Sequence, residues 1–196
     1  MFEPERRDLA YVPRWSILRV LHRQSVAEHS FFVASYGLKI ADHVGFDGDW
    51  RDLASYLLRH DEGEALESDI PGPVKRITGM DCARLAPELE RRFGPPPQPT
   101  AAMVAIRRVA DLLDECLYLA GEVALGNRTV RAALDGVSWP RLRQATMYLS
   151  TIAGPKLAGL LCSELDEMFK EAIKVELKYD KSMEGLMEGR DCAEDR

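Results

Sequence analysis

The stretch Leu57-Leu58-Arg59-His60-Asp61-Glu62-Gly63-Glu64 sets an imidazole beside a carboxylate, with a further carboxylate, Glu64, one helical turn on. Groups of these types ligate metal ions and move protons. Trp50, Leu53, Ala54, Leu57 and Leu58 recur at steps of three and four, the mark of an apolar helix face, and Asp61 is next in that phase. An isolated carboxylate is costly to bury, so something should neutralise Asp61: a metal ion, an arginine partner, or a helix end where the side chain meets water. The His-Asp dipeptide occurs often by chance and does not choose among them.

Further residues of the right chemistry lie on other predicted helices. Ser25-Val26-Ala27-Glu28 has the form of a capping box, so a helix should start there, run to about His43 and close at Gly45. His29 falls on its apolar face with Phe32, Val33, Tyr36 and Ile40, where a core histidine with a backbone partner is the ordinary reading. Thr100 can cap a long helix to about Leu125, ended by Gly126, with Met103, Ile106, Ala110, Leu113, Leu117, Ala120 and Ala124 as its core stripe. Arg107, Arg108, Asp111, Asp114 and Glu115 form its more polar flank, and periodicity does not choose between Asp111 and Asp114. His29, His60, Asp61 and one acid of that helix make an N2O2 donor set suited to a borderline divalent ion. Helices that converge on one point build such a site in a bundle core.

The elements between them are also legible. Glu5 to Val12 can form a short helix stopped by Pro13, and Arg14-Trp15 follows, ordinarily a surface cation beside a packing anchor. Asp49 to about Glu67 reads as one helix carrying the His-Asp pair. Ser68 to Arg76 reads as an ordered turn that re-enters helix near Val74 and brings Asp69 and Lys75 close to the end of the motif helix. Asp81 to Phe93 is helical in character. Residues 94–99, Gly-Pro-Pro-Pro-Gln-Pro, are a stiff connector. Because the ligand set straddles that connector, it reads as a loop inside a single domain spanning residues 1–196. A turn at Leu134-Asp135-Gly136, a helix capped by Ser138, a further helix from Pro155 to about Leu177 and a polar tail from about 180 to 196 complete the chain. No alternating strand pattern is present, so the fold class is all-α.

Composition narrows the function classes. The 46% hydrophobic and 30% charged content is that of a soluble globular chain. No window approaches the ~18 apolar residues of a membrane span, and the N-terminus has acids and no apolar run, so a cytoplasmic protein is expected. A net charge of -6 argues against a duplex nucleic-acid surface while leaving room for a local phosphate pocket. Cys82, Cys116, Cys162 and Cys192 form no C-x-x-C pair and read as reduced thiols.

Taken together, the chain resembles the HD-domain phosphohydrolases, whose signature is H…HD…D, and more closely the bacterial 5'-deoxynucleotidases and phage dATP triphosphohydrolases. The matching stretches are Arg14-Trp15, Val26-Ala27-Glu28-His29-Ser30, His60-Asp61 with Glu64, Asp69-Ile70-Pro71-Gly72-Pro73-Val74-Lys75, Val109-Ala110-Asp111 and Gly121-Glu122 through Gly126-Asn127, within roughly residues 10 to 130. The resemblance implies an HD-domain helical bundle with a divalent metal in its core: Co²⁺, Mn²⁺, Zn²⁺ or Mg²⁺. It implies His29, His60, Asp61 and Asp111 as ligands, and so selects Asp111. Glu64 and Asp69 would act near the attacking water, Lys75 and Arg108 near the phosphate, and Arg14 and Trp15 in the nucleotide pocket. Ile17 resembles the phage pattern, in which a bulky aliphatic group approaches the base. The implied activity is hydrolysis at the α-phosphorus of a deoxynucleoside monophosphate. Release of triphosphate from dATP is the alternative, and a non-catalytic nucleotide-binding module is a second. Homo-oligomers are expected.

Overall fold

The computed structural model describes residues 4–79 and 85–154, with Ser163 and Glu167. The helix expected from Pro155, the polar tail and residues 81–84 of the expected Asp81–Phe93 helix therefore lie outside the described residues. Those described are helical, with one isolated bridge between Pro13 and Ser25 and no strand.

A short 3-10 helix, Pro4–Tyr11, precedes α1, Val26–His43. Ser25 caps α1 as its sequence predicts: Ser25 Oγ accepts from the Glu28 amide at 3.2 Å, and Glu28 Oε2 accepts from the Ser25 amide at 2.6 Å. Its buried face is His29, Val33, Ala34, Gly37, Ile40 and Ala41. Phe32, expected on that face, is 39% exposed and stacks on Tyr36 along the outer flank.

The helix expected over Asp49–Glu67 is broken. Capped by Asp49, α2 spans Trp50–Arg59, and a tight turn at 60–63 leads into α3, Glu64–Glu67. His60 causes part of this, because its Nδ1 lies 2.8 Å from the Leu57 carbonyl and competes for a backbone acceptor. The amides of Glu62 and Glu64 then bond three residues back, to Arg59 and Asp61, which tightens the chain out of α-helical register. Of the expected stripe, Leu53 and Leu57 are fully buried, whereas Trp50 and Leu58 are 42% and 49% exposed. Asp61 thus stands on a turn, with its side chain 25% exposed, rather than on a continuous apolar face.

After Pro71, α4 spans Gly72–Thr78, and α5 spans Ala86–Phe93. Arg59 donates to the carbonyls of Phe93, Gly94 and Pro95, tying the start of the proline connector to the end of α2. The central helix, α6, spans Ala101–Ala124 behind the Thr100 cap, and packs most extensively on α1. The polar flank expected on α6 is partly wrong: Asp114 is buried, as is Glu122 further along. The turn expected at Leu134–Gly136 is helical instead, with 3-10 residues Arg128–Val130, then α7, Arg131–Ala133, a π segment Leu134–Ser138, and α8, Trp139–Ala153. Pro140 explains the π segment, because a proline inside a helix clashes with the carbonyl four residues earlier and a local widening relieves that clash. The Trp139 amide accordingly bonds Leu134, five residues back. Ser138 makes no cap bond; its hydroxyl donates to Glu115.

Gly37 sets how closely α1 meets α2. A Cβ there would stand 2.7 Å from Leu57 Cδ1, in a seam where Leu57 has no exposure. Gly37→Val is expected to lower stability by about 1–3 kcal/mol through overpacking, read as a lower midpoint in urea unfolding. An unchanged midpoint would show that the seam has slack.

Candidate active site

Three helical elements deliver the acids and histidines to one point. His29 comes from the first full turn of α1, His60 and Asp61 from the turn that follows α2, and Asp111 from the middle of α6. His29 Nε2 lies 3.3 Å from Asp111 Oδ1 and 3.6 Å from Asp61 Oδ2, and His60 Nε2 lies 3.1 Å from the same Asp61 oxygen. Donor atoms of His29, His60 and Asp111 all fall within 4.8 Å of one another, a grouping able to hold a metal ion.

The tautomers follow from what each ring touches on its far side. His29 Nδ1 meets Asp114 Oδ2 at 2.6 Å, and His60 Nδ1 meets the Leu57 carbonyl at 2.8 Å. Both Nδ1 atoms are therefore donors, which leaves each Nε2 free to present a lone pair. Both Nε2 atoms are buried without a hydrogen-bond partner and point at the carboxylates. Buried nitrogens of this kind, beside two acids, fit a divalent cation.

Charge at the centre is consistent with that fit. Burial works against ionising Asp61, but His60 offsets it and holds the pKa down to about 2. Asp111 is likewise held well below the carboxylate range, because His29, His60 and Arg107 together outweigh burial, which opposes its charge. Burial opposes a charged His29, yet Asp111 and Asp114 overcome it and lift its pKa to about 9. Without a metal, the acids draw a proton onto the imidazole.

A cleft of about 390 Å³ opens on this centre, walled by residues from the loop after the first helix, the Asp69–Lys75 turn, α6 and the π segment. Of the residues singled out from sequence, Arg14, Trp15, Ile17, Asp61, Glu64, Asp69, Lys75 and Asp111 all line it. Glu64 is buried and accepts from Lys75 Nζ at 3.1 Å through Oε1, while Oε2 has no partner. Burial, followed by repulsion from Asp61 and Asp69, outweighs Lys75 and raises its pKa to about 8. Trp15 holds a left-handed backbone, φ 67°, and its indole stacks on Tyr118 with centroids 5.0 Å apart. Ile17 is 62% exposed at the rim rather than in the core.

Arg108 is not brought to the site. It is exposed and absent from the lining, whereas Arg107, a full turn before Asp111, lies 3.3 Å from that carboxylate. Sequence reasoning gave no role to Gln24, Tyr118 or Arg141, and it placed Asp114 and Glu115 only on the polar flank of α6, with Asp114 as an alternative to Asp111. Asp114 had a visible signal, three residues after Asp111, but its spacing made it look like a rival rather than a partner. Arg141 had none. Glu122 and Asn127 gain a reason: Glu122 accepts the amides of Leu21 and His22 at 2.6 and 3.0 Å, and Asn127 donates to Glu122 and to the Arg19 carbonyl. They fasten the loop that carries Arg14 and Trp15.

Comparison with known proteins bears on this arrangement. Residues 5–91 match the 5'-deoxynucleotidase YfbR-like family. A 5'-deoxynucleotidase of Erwinia tasmaniensis is 26% identical over 190 residues, covering 84% of this chain and 94% of the relative. The HD phosphohydrolase DatZ of cyanophage S-2L, solved with dA and one catalytic Zn²⁺ ion, superposes with a TM-score of 0.67 at 18% identity, covering 87% of this chain and 98% of that one. The chain has the HD-domain phosphohydrolase fold and is similar over residues 5–91 to the YfbR-like 5'-deoxynucleotidases. A second 5'-deoxynucleotidase, from Photorhabdus temperata, is 26% identical over 172 residues, or 75% of this chain and 87% of the relative. An HD-domain phosphohydrolase of Listeria innocua gives a TM-score of 0.62 at 19% identity, with 89% and 90% of the two chains covered. The family match contains His29 and the His60-Asp61 pair of the signature, and Asp111 lies beyond it. Among the described residues, no helix is long and apolar enough to cross a membrane.

The His29 shift makes a prediction for metal-free protein. Its pKa is raised from an ordinary 6.5 to about 9, so its contribution to stability is complete below about pH 6.5 and is lost as pH rises through 9. Glu64, raised from 4.5 to about 8, acts in the same direction. The melting temperature in chelator should fall from pH 6.5 to 9, and saturating divalent metal, taking the place of the proton, should flatten that slope. A chelated protein whose melting temperature is level across this range would contradict the assignment.

Proposed function

We propose that the protein is a metal-dependent 5'-deoxynucleotidase, hydrolysing a deoxynucleoside 5'-monophosphate to the deoxynucleoside and phosphate in the cytoplasm. The observation that carries this is the pair of unpartnered, buried Nε2 atoms of His29 and His60, facing two carboxylates at the floor of a cleft that also holds Arg14, Trp15 and Lys75. His29, His60, Asp61 and Asp111 are the ligands. Two nitrogen donors favour Zn²⁺, Co²⁺ or Mn²⁺ over Mg²⁺, which prefers an all-oxygen shell. The bound ion supplies Lewis acidity toward the phosphoryl oxygens and toward water.

The chain's own groups do the rest. Lys75 and Arg14 hold phosphate oxygens and stabilise the charge that grows on them. Glu64, with its pKa raised to about 8 and one oxygen without a partner, orients the attacking water and exchanges a proton with it, with Asp69 beside it. Trp15 and Ile17 flank the nucleoside. Arg108 has no part in this reading, and Arg107 steadies Asp111 instead. Residues on both sides of the proline connector line the cleft, which supports a single domain.

A dATP triphosphohydrolase is the second reading, favoured by Ile17 standing open at the cleft rim. Charge favours the monophosphate. Asp61, Glu64, Asp69, Asp111 and Glu115 outnumber Arg14, Lys75 and Arg141 in the lining, and a triphosphate adds more negative charge to that surface. A pure binding module would have no need of Glu64 at its position.

Metal-supplemented protein incubated with dAMP, dATP, dGTP and AMP should release phosphate from dAMP. Faster release of triphosphate from dATP would shift the reading to the alternative. His60→Ala and Asp61→Ala should abolish hydrolysis with the fold intact by circular dichroism, and full activity in both would sink the proposal. Glu64→Gln should retain metal yet lose about 10²–10⁴-fold in kcat.

A further inference from the structure

Between the metal centre and the nucleotide loop runs a buried hydrogen-bonded chain whose inner members have no role in the reading above. His29 Nδ1 meets Asp114 Oδ2 at 2.6 Å, and Gln24 Nε2 donates to that same oxygen at 2.9 Å. Gln24 Oε1 accepts from Arg14 Nη1 at 2.8 Å and from Trp15 Nε1 at 3.4 Å. Gln24 and Asp114 are only 5% and 3% exposed. The amide of Gln24 has one workable orientation, because a flip would turn its NH2 against the guanidinium and its oxygen against the carboxylate. Arg14 Nη1 also lies 3.6 Å from Asp114 Oδ2, so the arginine and the imidazole share one anion.

We propose that Gln24 and Asp114 are positioning residues that couple nucleotide binding at Arg14 and Trp15 to metal binding at His29. The identity of the ligand rests on the deoxynucleotidase reading; the coupling is a property of the chain of bonds. Asp114 fixes the His29 tautomer, keeping the Nε2 lone pair on the metal side. A cation on Nε2 takes the place of the proton held there and fixes the ring, which fixes Asp114 through the Nδ1–H bond. Asp114 in turn fixes Gln24, whose Oε1 holds Arg14 and the Trp15 indole in place for the nucleotide. Coupling of this kind is reciprocal, so nucleoside at Trp15 strengthens metal binding by the same factor. The left-handed backbone of Trp15 gives the loop a strained conformation for the chain to hold in place.

The test uses binding rather than turnover. The protein has three tryptophans, so Trp50→Phe with Trp139→Phe leaves Trp15 as the sole indole. In that background Zn²⁺ should shift Trp15 emission, and Zn²⁺ should tighten the binding of deoxyadenosine, which carries no phosphate for the ion to touch. Adding Gln24→Met should leave Zn²⁺ affinity, by equilibrium dialysis, within about 3-fold while removing both the emission shift and the Zn²⁺ enhancement. Asp114→Asn should weaken Zn²⁺ about 10–100-fold. A folded Gln24→Met protein that keeps the shift, or an Asp114→Asn protein with unchanged Zn²⁺ affinity, overturns the proposal. If deoxyadenosine fails to bind the parent protein, the nucleotide reading fails, and the emission arm still decides the coupling.

Discussion

Asp61 and Asp111 approach the same edge of one imidazole, His29 Nε2, and a second imidazole faces them from His60. Carboxylates this close repel, and a helical core does not screen them as water would, so positive charge has to stand among them. In the protein alone His29 supplies it by holding a proton; a divalent ion supplies it better, because it satisfies both nitrogens and both acids together. Three helical elements, α1, α2 and α6, are arranged to meet this condition.

Their meeting depends on features with no charge at all. Gly37 lets α1 and α2 approach through Leu57, whose side chain is fully buried three residues before His60. The end of α2 then breaks, and the break swings Asp61 to the cleft while Arg59 ties the turn to the start of the proline connector. A continuous helix would have carried Asp61 along the apolar face with Leu53 and Leu57. The turn instead leaves it partly open to the cleft.

The Arg14–Trp15 side of the cleft is built differently, from a loop fastened at several points. Glu122 and Asn127 hold Arg19 to His22 by backbone bonds, Tyr118 stacks under Trp15, and Gln24 receives Arg14. All three anchors from residues 118–127 sit on or just after the last turns of α6, the helix that carries Asp111. One rigid element thus carries Asp111 and also fixes the loop that carries Arg14 and Trp15. Lys75 and Glu64 come from shorter elements on the opposite wall, where burial and the charges of Asp61 and Asp69 raise the Glu64 pKa against the pull of Lys75.

Local chemistry was legible without tertiary structure. The Ser25–Glu28 capping box, the Thr100 cap, the glycine stops at Gly45 and Gly126 and the all-helical character depend on neighbours within a few residues, and the structure keeps each of them. The ordered motifs likewise pointed to a shared site, and eight of the candidate site residues do line one cleft. What sequence could not decide was set by contacts between distant segments. The break after Arg59 needs the His60 ring turned onto Leu57, the Leu134–Ser138 segment widens ahead of Pro140 in place of a turn, and Arg107 rather than Arg108 reaches Asp111. Asp111 and Asp114 are one turn apart on one helix and identical in type, so periodicity could not separate them. The two nitrogens of His29 separate them: Asp111 faces Nε2 on the open side and Asp114 faces Nδ1 on the closed side, a distinction that exists only once α1 lies against α6.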